Sequence, residues 1–357
     1  MTPSQVLAEW GPAAGLLAGP EALSAKTDRH NLKSRFKVEP FLMAPMAGVS
    51  DAAYRTMARA GGAGLAYTEM VSCAGLHYGG EKTWELVEPA ETEPDIAVQL
   101  FGSKPELFRE AATSVLERLG NRLALIDINM ACPVPKVTKK GEGSALLDNP
   151  ELAAAIVQAC IEGAGAQVPV TAKIRRGRLM GEEVAPEFAR AMEAAGASAI
   201  AVHGRFANQL YHGEADWGCV SRVAKAVSVP VIGSGDVSSA QAAARMLAET
   251  GASAVMVARG SYGNPWIFRD AAALRLGEKP EPHDAREKIA AFRCHVRLLA
   301  ATGANLKRAR SLAGWYLRGM PEAARLRGMA VTCLTLEDYL AVADEAERML
   351  KSEAKRS

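Results

Sequence analysis

Five short stretches carry side chains whose types and spacing could do chemistry. In DINMACP (127–133) an amide, Asn129, and a thiol, Cys132, stand close together past the end of an apolar run. A thiol with a reference pKa of about 8.5 stays mostly protonated near neutrality and is still a competent acid. In TAKIRRG (171–177), Lys173 lies between Ala172 and Ile174. A buried ammonium in that setting requires a partner. VHGR (202–205) supplies His203 and Arg205. GSGD (233–236) and ARG (258–260) bring Gly233, Ser234, Gly235, Asp236, Arg259 and Gly260. Close-spaced glycines beside a guanidinium, which can grip two oxygens at once, suit a phosphate. Each residue alone has an ordinary explanation: Cys132 as an inert core thiol, His203 as a strand-end cap, the glycines as tight turns. Only the elements that hold them decide between the two.

Those elements recur. Eight apolar, β-rich runs end in small or polar residues: FLMAPM (41–46), GLAYTEM (64–70), IAVQLFG (96–102), LIDINM (125–130), PVTAKI (169–174), AIAVHG (199–204), PVIGSG (230–235) and AVMVARG (254–260). Ala-rich helical stretches such as DAAYRTMARAG, NPELAAAIVQACIEGAG and SSAQAAARMLAET separate them. The runs are continuously apolar instead of alternating, as in a parallel sheet covered by helices. This pattern predicts an α/β fold, a (β/α)8 TIM barrel, with a C-terminal all-helical domain. The expected division is an N-terminal extension (1–35, helical or loose), the barrel (36–277) and a basic helical domain (278–357). Proline-containing LRLGEKPEPHD (274–284) serves as the linker.

In such a barrel the strand ends converge on one rim, and that rule gathers Ala44, Pro45, Met46, Glu69, Gln99, Asn129, Cys132, Lys173, His203, Arg205 and the two glycine loops. Phosphates commonly sit beside strands seven and eight, which leaves the rest of a ligand to cross the barrel centre. Flavin mononucleotide (FMN) fits this layout. Its ring would rest over Ala44-Pro45-Met46, with Gln99 at the donor–acceptor edge and Lys173 where negative charge collects on reduction. No GxGxxG or GK[ST] loop points to a tightly held dinucleotide or ATP.

Composition narrows the class. The chain of 357 residues is 49% apolar and 23% charged with a formal net charge of +2, ordinary for a globular protein. Its six cysteines (73, 132, 160, 219, 294, 333) form no CxxC pair, and the six histidines include no HExxH, so neither a disulfide framework nor a metal is assigned. The N-terminal MTPSQVLAEWGPAAGLLAG has acidic Glu9 and no basic flank, a poor signal peptide. No apolar run is long enough for a membrane span. A cytoplasmic enzyme is the expectation, with a monomer as the working oligomeric state.

The motifs PMAGVSD (45–51), QLFGS (99–103), DINMACPVPKV (127–137), GEGSALL (141–147), TAKIRRG, VHGR, GSGD and ARGSYGNPWIF (258–268) together resemble the bacterial tRNA-dihydrouridine synthases, most closely their B-type. The resemblance covers about residues 36–345. It implies FMN bound in the barrel, NADPH as reductant, tRNA as partner, and reduction of the C5=C6 bond of chosen uridines. Cys132 corresponds to the family's proton donor to C5, and Asn129 to its partner at flavin and substrate. Gln99, Lys173 and His203 correspond to flavin contacts, and Gly235-Asp236 and Arg259-Gly260 to the phosphate loops. The chain departs from the pattern at Ala131, where glycine is common, and at Ser234, where asparagine is common.

Between His283 and Met329 ten Lys/Arg face three acids. The whole-chain charge hides this asymmetry, which suits a phosphate backbone. Lys307, Arg308 and Arg310 are expected to form a patch that holds tRNA, with Arg205 at the substrate near the flavin. A flavin-dependent ene-reductase of a small molecule and a non-catalytic RNA-binding barrel protein are the rival readings.

Overall fold

Each of the eight runs forms a strand in the computed structural model, which describes residues 1–17, 28 and 30–353. They are β1 (Phe41–Met43), β2 (Tyr67–Ser72), β3 (Ile96–Phe101), β4 (Leu123–Met130), β5 (Val170–Gly177), β6 (Ala199–Phe206), β7 (Val231–Ser234) and β8 (Ala254–Val257). All pair in parallel, in the order β1-β8-β7-β6-β5-β4-β3-β2. A bridge between Met43 and Ala66, with Met43 N–H donating to Leu65 O at 2.9 Å, joins the two ends. The sheet is therefore a (β/α)8 barrel whose β1–β2 seam is its thinnest. Every residue of β1, β4, β6, β7 and β8 is buried, which accounts for the missing alternation: helices cover one face and lumen side chains fill the other.

The covering helices start where the sequence offers caps. The side chains of Asp51, Asn149, Asp216 and Ser239 each accept a hydrogen bond from a first-turn N–H. Three boundaries differ from the sequence expectation in ways that matter. β2 begins later than its apolar run, because Gly64 is spent on a turn packed so closely on Glu39 that a Cβ there would lie 2.5 Å from the Glu39 Cβ. β5 and β6 run on to Gly177 and Phe206, so Arg175 and Arg205 are strand residues that point with their neighbours two positions back.

Helix Leu32–Val38 closes the N-terminal end of the barrel. Its Arg35, fully buried, holds Asp95 with both guanidinium nitrogens (2.5 and 3.1 Å) and donates to Gly64 O at 2.6 Å. Arg59 Nη2 also approaches Asp95 Oδ1 at 3.6 Å. Removing Arg35 therefore leaves the buried carboxylate with that longer contact in place of two short hydrogen bonds, a costly exchange away from water.

Helices Ala285–Ala301, Ala309–Tyr316, Ala323–Thr332 and Leu336–Glu353 follow the barrel. Their apolar faces share one core with Val6 and Leu7 of the N-terminal helix Pro3–Trp10 and with Ala53 and Met57 of barrel helix Ala52–Ala60. Tyr262, from the loop after β8, stacks on Trp315 at 4.0 Å between ring centroids. Gly263 beside it has φ +63°, and a Cβ there would meet the Trp315 carbonyl carbon at 2.6 Å. The loop after β8 thus serves both the rim and the helical module. Replacing Arg35 with alanine should cost about 3 to 5 kcal/mol in urea unfolding, and a loss under 1 kcal/mol would mean the pair does not hold the barrel base.

Candidate active site

Parallel register stacks the polar lumen residues in tiers. Gln99 pairs with Asp127 and Asp127 with Thr171; one step nearer the C-terminal mouth Asn129 pairs with Lys173; above that Arg175 pairs with His203 and His203 with Ser234. Residues two apart on a strand face the same way, so Asp127 and Asn129 share a side, as do Thr171, Lys173 and Arg175, and His203 and Arg205.

The lowest tier is saturated with hydrogen bonds. Thr171 Oγ1 donates to Asp127 Oδ1 (2.6 Å), and Gln99 Nε2 donates to Asp127 Oδ2 (2.7 Å). Asn129 Nδ2 donates to Gln99 Oε1 (2.8 Å), and Asn129 Oδ1 accepts from the backbone N–H of Ala131 (3.2 Å) and Cys132 (2.9 Å). Burial pushes the Asp127 carboxyl up to about 6, against the pull of the Thr171 and Gln99 hydrogen bonds and of the Lys173 charge. Asn129 thereby closes the turn that carries Cys132. Arg175 Nε holds the same turn by Ala131 O at 2.8 Å, and Ser144 N–H donates to Cys132 O at 3.0 Å. Gly143 (φ +62°) lets that approach happen, since a Cβ would fall 2.7 Å from Cys132 O. Ala131 is buried and keeps a negative φ, so its Cβ is accommodated.

Cys132 is the one cysteine of the six that is partly exposed. Cys73, Cys160 and Cys294 are buried in helices, and burial pushes their thiols up. The part-exposed thiol at the strand end is distinct from these packing residues.

The upper tiers are unsaturated. Burial and then the Arg175 charge lower Lys173 to about 8, opposed by Asp127 and Cys132. Its ammonium has no hydrogen-bond partner among the described residues. His203 is driven well below its ordinary value by burial and then by Lys173, Arg175, Arg205 and Arg259, so the ring is neutral. His203 Nε2 and Arg205 Nη1 are both buried without a partner. The other nitrogens of Arg205 bond to His212 O (3.3 Å), Gly213 O (2.6 Å) and Asp236 Oδ2 (2.7 Å). Asp236 also accepts from Ala215 N–H, and its φ of +53° is strained for a residue with a Cβ. Buried orphan donors are costly unless something fills the space before them.

The glycine loops are set by packing. A Cβ on Gly233 would meet Met246 Sδ at 2.7 Å, one on Gly235 the His203 Cδ2 at 2.8 Å, and one on Gly260 the Val237 O at 2.2 Å. Ser234 ends β7, buried, in register with His203. Arg259 opens a short 3-10 turn, Arg259–Ser261, with its guanidinium half exposed over the Tyr211 ring at 4.6 Å. Beside them, on the neighbouring strand β1, Ala44 N–H donates to Val257 O and Met46 N–H to Ser50 Oγ (2.7 Å), fixing the turn that offers Pro45 to the mouth.

The three basic residues of the helical module separate in space. Lys307 is exposed. Arg308 Nη1 reaches the barrel mouth and bonds to Asp51 Oδ2 and Glu69 Oε1, both at 2.9 Å, while Gly48 N–H donates to Glu69 Oε2. Arg310 lies beside Tyr339 of the helical core, with its Nε buried. Arg293 pairs with Asp344 and Glu347, Arg325 with Glu345, and Arg297 lies 3.7 Å over Trp10. Much of the positive charge counted along the sequence is therefore engaged inside the protein. Reading residues in order passes over Asp127, Thr171 and Arg175. The signal for Asp127 was present: it is a lone acid within the apolar run of β4.

Residues 42–353 match the family model described as dihydrouridine synthase (Dus). The "tRNA-dihydrouridine synthase B" of Xanthomonas axonopodis pv. citri is 36% identical over 305 residues, spanning 84% of this chain and 90% of that protein. The "Probable tRNA-dihydrouridine synthase 1" of Synechocystis sp. is 36% identical over 309 residues, 85% of each chain. The "tRNA-dihydrouridine synthase B" of Pseudomonas aeruginosa is 37% identical over 292 residues, 80% of this chain and 86% of that one. With the barrel, the tiered rim and a match that continues through the helical module, the chain belongs to the dihydrouridine synthase family of enzymes.

Proposed function

We propose that this chain reduces the C5=C6 bond of selected uridines in tRNA to 5,6-dihydrouridine, in the cytoplasm, using FMN and NADPH. The observation that carries the reading is the partly exposed Cys132, anchored by Asn129 and Arg175 at the mouth of a lumen whose upper polar groups lack partners. Those groups fit a flavin phosphate and ring edge. His203 Nε2 and Arg205 Nη1 are buried donors or acceptors left open, and Lys173, Arg175, Arg205 and Arg259 together favour an anion. Gly233, Ser234, Gly235, Arg259 and Gly260 would hold the phosphate, with Asp236 steering Arg205. The Ala44-Pro45-Met46 turn would support the ring and Lys173 would meet its polar edge, with Gln99 below it committed to Asp127 and Asn129. When bound, the flavin supplies hydride, renewed from NADPH.

The chain's own residues do the rest. Cys132 gives a proton to uracil C5, and Asn129 holds its turn. Lys173, cationic near neutrality, lies where negative charge is best tolerated. A uridine within folded tRNA must leave its stack to reach this depth, at a cost of a few kcal/mol. Exposed Arg286, Lys307, Arg318 and Arg327 supply backbone contacts that offset it. The family match through residue 353 supports this reading over a small-molecule ene-reductase, which has no need of the helical module.

Cys132→Ala should keep bound flavin and lower dihydrouridine formation on unmodified tRNA by about 10²-fold or more; product at a near-normal rate would remove Cys132 as the acid. Lys307→Glu should weaken tRNA binding and flatten its salt dependence while flavin stays bound, and an affinity unchanged across salt concentrations would argue against an RNA-facing module. Lys173 is charged below about 8 and neutral above it. Flavin affinity, followed by fluorescence quenching, should therefore fall as pH rises through that value, and Lys173→Met should abolish the dependence. A flat profile in the parent chain would place Lys173 away from the flavin.

A further inference from the structure

We propose that Asp127 and Gln99 are positioning residues: they fix the direction in which the Asn129 amide faces, and through it present Cys132 to the substrate. The inference rests on the reading of Cys132 as proton donor. Asp127 lies two tiers below that thiol, and the chain Asp127–Gln99–Asn129–Cys132 links them by three contacts of 2.7 to 2.9 Å.

The argument is one of hydrogen-bond polarity. At the upper end, the backbone N–H groups of Ala131 and Cys132 can only donate. At the lower end an ionised carboxylate can only accept, and the Thr171 hydroxyl donates to its other oxygen. Two amides stand between, each with one donating and one accepting end. Only one orientation of the pair satisfies every contact. Inverting Gln99 would set its Nε2 against Asn129 Nδ2 and its Oε1 against Asp127. Inverting Asn129 would face Nδ2 to two N–H groups and release the Cys132 turn. Gln99, Asp127 and Asn129 are 1%, 0% and 6% exposed, so water cannot replace a lost partner. The raised carboxyl of Asp127 remains largely ionised at neutral pH, consistent with an accepting end.

Polarity of this kind can be reversed by design. Asn129→Asp keeps an acceptor for the two N–H groups but turns a second acceptor toward Gln99, whose far end still meets Asp127. One contact is then oxygen against oxygen, whichever way Gln99 lies. Adding Asp127→Asn puts a donor at the lower end. Gln99 can now turn over and every contact is satisfied again, with the chain running in the opposite sense.

Asn129→Asp alone should lower kcat for dihydrouridine formation about tenfold or more, with flavin content and tRNA affinity kept. It should also change the rate at which iodoacetamide alkylates Cys132, the one partly exposed thiol. The double variant Asn129→Asp/Asp127→Asn should return both to within about threefold of the parent, a coupling that a double-mutant cycle reads directly. If Asn129→Asp does not fold, Gln99→Glu gives the same test, because it clashes with Asp127 alone and is relieved by Asp127→Asn. A double variant as impaired as its single parent would overturn the proposal and leave Asn129 acting through its own ligand contacts. Alkylation needs neither flavin nor tRNA. Rescued alkylation with turnover indifferent to Cys132 would therefore keep the positioning role and refute the proton-donor reading instead.

Discussion

Polar groups inside a parallel barrel must be paired or must face something that pairs with them, because the lumen offers no water to take their place. This constraint orders the structure from bottom to top. At the base, Arg35 and Arg59 both reach the buried Asp95 carboxylate. In the middle, Asp127 is met by Thr171 and Gln99, and the amide chain passes the pairing upward. At the mouth the pairing stops, with Lys173, His203 Nε2 and Arg205 Nη1 left open among the described residues. Open atoms also occur lower down, at Arg35 Nε and Tyr67 Oη. It is therefore the clustering of His203 and Arg205 with Lys173, Arg175 and Arg259 that marks the end at which a ligand belongs.

The sequence was most legible where burial is total. Eight continuously apolar runs became eight strands because both faces of a parallel sheet are covered, and the glycines of GSGD and ARG stood where a Cβ would strike Met246, His203 or Val237. Legibility failed where a side chain's partner lies far along the chain. Arg308 looked free until the fold brought Asp51 and Glu69 to it, and Arg293 and Arg325 until the last helix supplied Asp344, Glu347 and Glu345. Asp127 was passed over for the same reason. Its neighbours in sequence are apolar, while Gln99 and Thr171 come from adjacent strands.

The helical module is joined to the mouth by more than chain connectivity. Arg308 grips two carboxylates at the rim, one of which, Glu69, also holds the Gly48 turn after β1. Trp315 stacks on Tyr262 just beyond the Arg259 turn. The N-terminal helix Pro3–Trp10 packs into the same helical core, where Trp10 lies under Arg297. On the proposed reading, an RNA held by the exposed basic residues would be registered against the thiol by these contacts, and the Cys132 turn is steadied from below by the amide chain.

On the proposed reading, the open groups of the upper tier are places kept for a bound flavin. A structure of the same chain with FMN tests that most directly. The account predicts His203 Nε2 and Arg205 Nη1 each within hydrogen-bond distance of the ligand, and the Cys132 sulfur facing the uncovered side of the ring. A flavin bound elsewhere, or bound here while both nitrogens stay unpartnered, would contradict it.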